Sequence, residues 1–123
     1  MKAGRTGLAR LIDATGYSIN GLRAAFINEA AFRQELLLVA ILGVAAFWLG
    51  ENALQWLILI FPLFLLLIVE LLNSAVESTV DRIGSERHEL AGRAKDLGSA
   101  AVMLSLALIT ITWAVVAWHR FNS

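Results

Sequence analysis

"VELLNSAVESTVDRIG", residues 69–84, joins two kinds of sequence that are usually separate. The run from Asn52 to Val69 carries no charge and reads as a membrane span, yet helix-favouring residues continue past Glu70 through Glu77 and Asp81. At about 100° per residue, Glu70, Asn73, Glu77 and Asp81 fall within an arc of roughly 80°. Leu71, Leu72, Ala75, Val76 and Thr79 take the opposite side. The stretch therefore predicts one helix that leaves the apolar phase without a break and carries a file of acids on one face.

Working outward, the rest of the chain has the composition of a membrane protein. Its 123 residues are one domain in length, and 59% of them are hydrophobic. Three charge-free stretches, 36–50, 52–69 and 97–118, hold 15, 18 and 22 residues. A span takes about 20 predominantly apolar residues, so the third suffices alone and the second needs a little helix beyond Glu70. The first must borrow neighbours such as Arg33 to Glu35, whose long side chains can snorkel. The expected fold is all-α: a single domain over residues 1–123 with three transmembrane helices, over about 33–50, 53–84 and 94–119.

Orientation follows from the cations. Lys2, Arg5, Arg10, Arg23 and Arg33 precede the first span. Arg82, Arg87, Arg93 and Lys95 lie between spans two and three, whereas the connection between spans one and two has no Lys or Arg and Arg120 alone follows span three. The positive-inside rule places the N-terminus and the 82–96 loop in the cytoplasm and the C-terminus outside. Trp48, Trp56, Trp113 and Trp118 all fall at predicted outer ends, where indole rings sit at headgroup level.

Residues 1–35 lack the apolar core of a signal peptide and are read as part of the mature protein. Leu8, Leu11, Ile12, Thr15, Ile19, Leu22 and Phe26 recur at spacings of three or four, which predicts an amphipathic surface helix over about 5–28, bent near Gly16, on the cytoplasmic leaflet. There is no cysteine, so neither a disulfide nor a thiol nucleophile is available. Net charge is zero, and nothing in its distribution suggests a nucleic-acid partner.

Counting residues gives depth. If span two starts near Ala53, about 20 residues bring it to the inner boundary close to Leu72, with Glu70 at the lipid–water border. Glu77 lies about 10 Å further into the cytoplasm. Glu29, seven residues before Leu36, falls near the level of Glu77, and Lys95 and Asp96, just before span three, return to the border beside Glu70. Ionisable groups from separate segments thus converge on one shallow layer. Two carboxylates at one level suit Mg²⁺, which takes one or two protein carboxylates and completes its shell with water and phosphate oxygens. A third carboxylate at the border suits a general base for a hydroxyl held at headgroup depth, and Lys95 suits phosphate. The parts fit phosphoryl transfer from a soluble nucleotide to a lipid hydroxyl.

Plainer readings stand beside this one. Asp81, Glu86 and Glu89 read as the solvated extension of a span, with Asp81 paired to Arg82 or to an Arg of a neighbouring segment. Glu29 can pair with Arg33 at i, i+4, Asn73 can be a helix–helix hydrogen bond, His88 a solvated loop residue and His119 a marker of the outer interface. No Walker loop or soluble-kinase signature is present; "GRAKDLG" (92–98) is glycine-flanked but does not match one. A proton-coupled transporter would want its acid near the midplane, where all three spans are uncharged. A small accessory subunit would leave the layered acids unexplained.

"GLRAAFINEAAFRQE" (21–35), "VELLNSAVESTVDRIGSERHELAGRAKDLGSAAV" (69–102) and "GYS" (16–18) resemble the prokaryotic integral-membrane diacylglycerol kinases nearly end to end. The resemblance implies a homotrimer with three transmembrane helices and a surface helix per chain, in the bacterial inner membrane. It implies transfer of the γ-phosphate of MgATP to diacylglycerol, giving phosphatidic acid. A sister branch phosphorylates undecaprenol; "NEAAFRQE" is closer to the diacylglycerol branch. The small residues Gly98, Ala101 and Ser105 suit the close helix packing of such an assembly.

By the same resemblance the catalytic base falls on Glu70 with Asn73 beside it, and the metal carboxylates on Glu29 and Glu77. Nucleotide contacts fall on Arg10, Tyr17, Glu29, Glu77, Glu86, Arg87, His88, Lys95 and Asp96. Lipid contacts fall on Arg10, Ala14, Thr15, Gly16, Tyr17, Ser18, Ile19, Arg23, Ala24, Ala25 and Phe26, then on Ala31, Phe32, Arg33, Gln34 and Glu35. The remaining lipid contacts are Trp48, Glu70, Ser99, Trp113 and Trp118. Arg87 stands where the family pattern has an aromatic, and Ile19 and Phe26 where it has tryptophans.

Overall fold

The computed structural model describes residues 5–83 and 89–122. They form four helices: α1 (Gly7–Asn28), α2 (Ala30–Leu49), α3 (Ala53–Ile83) and α4 (Glu89–Asn122). Helices α2, α3 and α4 are each long and apolar enough to cross a membrane. The short first stretch becomes a sufficient helix because α2 starts directly after Glu29 and so gains Ala30 to Glu35 at its near end. Helix α4 starts at Glu89, earlier than the expected 94, and α1 runs through Gly16 as one helix.

The two joints are built differently. At the α2–α3 turn, Asn52 Oδ1 accepts from Gln55 N at 2.9 Å, and Gln55 Oε1 accepts from Glu51 N at 3.0 Å. This reciprocal pair satisfies donors that a helix start leaves open. Gly50 fits there because a Cβ would stand only 3.1 Å from both Ala46 O and Trp56 N. At the α1–α2 joint a single residue, Glu29, ends one helix and begins the next in extended geometry (φ −117°, ψ 106°). Arg33 secures the corner, its Nη1 donating to Phe26 O at 2.6 Å and Ile27 O at 3.1 Å. A cation on the last carbonyls of a helix also opposes the negative end of its dipole.

Helix α3 is the centre, packed between α4 and α2. Leu59, Pro62, Leu63 and Leu66, spaced at three and four, are completely buried. Leu59 joins Ala46, Leu49 and Val116 in an outer cluster, and Leu63 and Leu66 join Ile109 in a second. Pro62 has no N–H, which leaves the carbonyl one turn earlier without its helical donor. The Trp113 indole crosses from α4 and donates to the adjacent carbonyl, Leu59 O, at 3.1 Å. Trp113 and Trp56 are thus partly buried against the outer cluster, while Trp48 and Trp118 remain exposed.

Large apolar side chains such as Ile41, Phe47, Phe61, Phe64 and Leu104 point away from the chain's own core. In a membrane that arrangement carries no hydrophobic penalty, because lipid tails are as apolar as leucine. On α1, Leu8, Leu11, Ile12, Ile19, Leu22 and Phe26 are exposed too, and Ala25 is the buried residue of that helix.

Candidate functional site

The acid file of α3 divides by depth. Glu70 and Asn73 are buried, Glu77 is half-buried and Asp81 is exposed. A carboxylate removed from water needs partners. Glu70 has two: its Oε2 accepts from Ser74 Oγ at 3.3 Å, and its carboxyl shares a hydrogen bond with Glu35 of α2. Glu35 Oε1 is buried without a hydrogen-bond partner. Sequence reasoning placed Glu35 among lipid contacts and missed this pairing; its position on the first turns of α2, level with the border, was the available signal.

One turn below, Asn73 Nδ2 donates to Glu77 Oε1 at 2.8 Å. The amide of Asn73 thus bonds the carboxylate one turn along its own helix. Lys95 of α4 reaches Asp81 Oδ1 at 2.7 Å, with Glu77 close enough to act on it electrostatically. That differs from the expectation that Lys95 lies beside Glu70. The long side chain turns away from the apolar phase, toward the exposed end of α3. Among the described residues Asp81 therefore pairs with a lysine of α4 and not with an arginine.

Glu29 stands on another side. It lines a cleft of about 710 Å³ between α1 and α3, with Ser18, Gly21, Leu22, Ala24, Ala25 and Asn28 on one wall and Leu71, Ser74, Ala75 and Ser78 on the other. Glu77 is not among the residues that line it. Arg33, the sequence-suggested partner of Glu29, instead holds the end of α1. Among the described residues, no three carboxylate or imidazole side chains gather into a cation cage. The donor chemistry still fits Mg²⁺, which needs only one or two protein carboxylates; Glu29 lines the α1–α3 cleft, and Glu77 is bonded to Asn73 on α3.

Other predicted site residues spread along the chain. Arg10 lines a shallow hollow with Gly7, Leu11 and Ala14 near the start of α1. Thr15, Tyr17, Ser18, Ile19, Arg23, Ala24 and Phe26 are exposed on α1, and Ala31, Arg33 and Gln34 on α2, where Phe32 is buried. Asp96 and Ser99 are exposed on α4. Trp48 lies at the far end of α2 from Glu35, about 20 Å away along the helix. There Arg120 stacks over it at 5.6 Å and Phe121 lies 5.9 Å away. Trp48, Trp113 and Trp118 are therefore not brought together with Glu70. Glu86, Arg87 and His88 lie outside the described residues.

A buried acid midway along α3, a bonded Asn–Glu pair below it and a lysine paired at the exposed end form an ordered file; the chain as a whole matches a known family. Residues 16–117 match the sequence profile described as prokaryotic diacylglycerol kinase. The chain belongs to the prokaryotic diacylglycerol kinase family. It is 55% identical to the diacylglycerol kinase of Escherichia coli K12 over 117 residues, which cover 95% of this chain and 96% of that one. It is 53% identical to the diacylglycerol kinase of Haemophilus influenzae, covering 88% and 92%. With that of Pseudomonas aeruginosa the identity is 52%, covering 92% of each. Membership makes the chain a multi-pass membrane enzyme, a kinase that uses ATP with a divalent metal.

Proposed function

We propose that this protein transfers the γ-phosphate of MgATP to the hydroxyl of diacylglycerol, with Glu70 as general base. The observation that carries the reading is the buried Glu70 carboxyl, held by Ser74 and Glu35 at the top of the acid file. Glu70 takes the proton of the lipid hydroxyl as its oxygen attacks phosphorus in line. The bond from that oxygen to phosphorus forms as the bond to the ADP leaving oxygen breaks.

Glu29 and Glu77 are the residues suited to hold Mg²⁺, which supplies charge neutralisation on the phosphates when bound. Asn73 orients Glu77 for this role. Lys95 is exposed beside Glu77 and offers its ammonium to phosphate oxygens. Positioning and charge neutralisation supply most of the acceleration in such a reaction.

In this reading the site is shared, Glu29 of one protomer meeting Glu77 of a neighbour in a homotrimer; Glu29 lining the α1–α3 cleft without Glu77 supports it. The exposed apolar side chains of α2, α3 and α4 supply surface for both lipid and protomer contacts. Helix α1, with its outward Leu and Ile side chains, lies along the cytoplasmic leaflet of the inner membrane, and the cation-rich segments face the cytoplasm.

The test is an acceptor assay on purified protein in mixed micelles with radiolabelled MgATP, offering diacylglycerol and undecaprenol separately. Labelled phosphatidic acid as the principal product supports the reading. Preference for undecaprenol reassigns the substrate, and proton-coupled solute flux in vesicles without ATP turnover removes the kinase assignment.

A further inference from the structure

Gly98 of α4 sits opposite Asn73 of α3. A Cβ built at Gly98 collides with Asn73 Oδ1 and stands 3.1 Å from Asn73 Cγ and 3.8 Å from its Cβ. All three of those nearest atoms belong to the Asn73 side chain, and none to the backbone of α3. The glycine thus makes room for an amide, whereas a glycine needed only for helix approach would meet backbone. Gly92, on the same helix, meets nothing within 4 Å.

The amide that occupies the space is constrained from both ends. Asn73 is buried; its Nδ2 donates to Glu77 Oε1 at 2.8 Å, while its Oδ1, toward Gly98, is buried with no hydrogen-bond partner. An amide has two donors and an acceptor that cannot be exchanged without turning the group. Any side chain at 98 pushes Oδ1 out of its place, and the amide must then turn and withdraw Nδ2 from Glu77. In glycine, the direction a Cβ would take carries only a hydrogen.

We infer that Gly98 is a positioning residue for phosphoryl transfer: by leaving the space in which the Asn73 amide rests, it fixes the orientation of Glu77. This rests on the reading of Glu77 as a metal-holding carboxylate. The consequence is a magnesium phenotype from a residue that touches neither metal nor nucleotide.

Five proteins test it in one mixed-micelle assay: wild type, Gly98→Ala, Gly92→Ala, Asn73→Ala and Asn73→Ala/Gly98→Ala. Turnover, the magnesium concentration for half-maximal rate and the thermal midpoint are read for each. Gly98→Ala is expected to lower kcat about tenfold and to raise the magnesium requirement severalfold, while Gly92→Ala changes neither. In the Asn73→Ala background the further effect of Gly98→Ala stays within about twofold. An unchanged magnesium requirement in Gly98→Ala, or an equal loss in both backgrounds, overturns the inference. If Gly98→Ala does not assemble, the double variant is expected to recover assembly, and failure to recover it overturns the inference as well. A wild type without MgATP-dependent turnover removes the kinase reading instead, and the thermal midpoints of the same five proteins still report whether Gly98 and Asn73 collide.

Discussion

Lys95 Nζ lies 2.7 Å from Asp81 Oδ1, tying the start of α4 to the last turns of α3. Both side chains are exposed to solvent, so the pair adds little to stability. Its consequence is functional, since the cation suited to phosphate is already engaged.

Asp81→Asn frees Lys95, so the thermal midpoint should barely move while KM for MgATP falls by up to about fivefold, the equivalent of a surface ion pair. Lys95→Met should raise KM for MgATP with little change in the affinity for diacylglycerol. Steady-state kinetics with each substrate varied in turn measures both. A higher KM in Asp81→Asn would mean that the aspartate positions the lysine instead of competing for it.

The contact between Glu35 and Glu70 predicts a difference between two substitutions at one position. Glu35→Gln keeps a hydrogen-bond donor beside Glu70, whereas Glu35→Ala leaves the buried carboxylate short of a partner. Turnover should therefore fall about tenfold further in the alanine variant than in the glutamine variant. Equal losses in kcat for the two would argue that the Glu35 contact has no part in catalysis.

Arg33 holds the corner on which Glu29 is carried. Removing two charge-assisted bonds at a partly solvated site costs about 1–2 kcal/mol. Arg33→Ala should speed amide exchange around residues 26–29 and raise the magnesium requirement, while exchange in the centre of α3 stays slow. Hydrogen exchange with mass spectrometry resolves the two regions.

Ser74 and Ser78 of α3 line the cleft with Glu29, whereas Asn73 and Asp81 meet α4, and the shared-site reading predicts complementation between chains. Glu29→Gln and Glu77→Gln should each be nearly inactive alone. Mixed before reassembly, the two variants should regain a substantial fraction of wild-type turnover, because some sites then combine an intact Glu29 with an intact Glu77. Failure to regain activity in mixed assemblies would place both carboxylates of a site on one chain.

The spans and their limits were legible because hydrophobicity and charge act residue by residue. The helix through Glu70 to Ile83 follows from the absence of any breaker between Val69 and Arg82, and the acid face follows from its period. What the sequence could not supply is lateral pairing. Whether Lys95 meets Glu70 or Asp81 depends on the register of α4 against α3 and on where a flexible side chain turns, and counting to a membrane border is too coarse to decide it. For Glu35 the sequence offers its depth, level with the border, but not its lateral neighbour, so its pairing with Glu70 is not legible there. Spacing makes Arg33 the partner of Glu29, yet its guanidinium goes to carbonyls at the end of α1, six and seven residues back. Gly98 looked like a packing residue among other small ones, and only the placement of Asn73 across from it gives it a more particular role.

The most direct measurement of the account is turnover of Glu70→Gln in mixed micelles, with assembly checked on the same sample. The substitution preserves shape and hydrogen bonding but removes the capacity to take a proton. Wild-type protein should convert diacylglycerol to phosphatidic acid with MgATP, and Glu70→Gln should assemble normally while losing turnover by at least about a thousandfold. Turnover near the wild-type rate in a correctly assembled Glu70→Gln enzyme would contradict the assignment of Glu70 as the base.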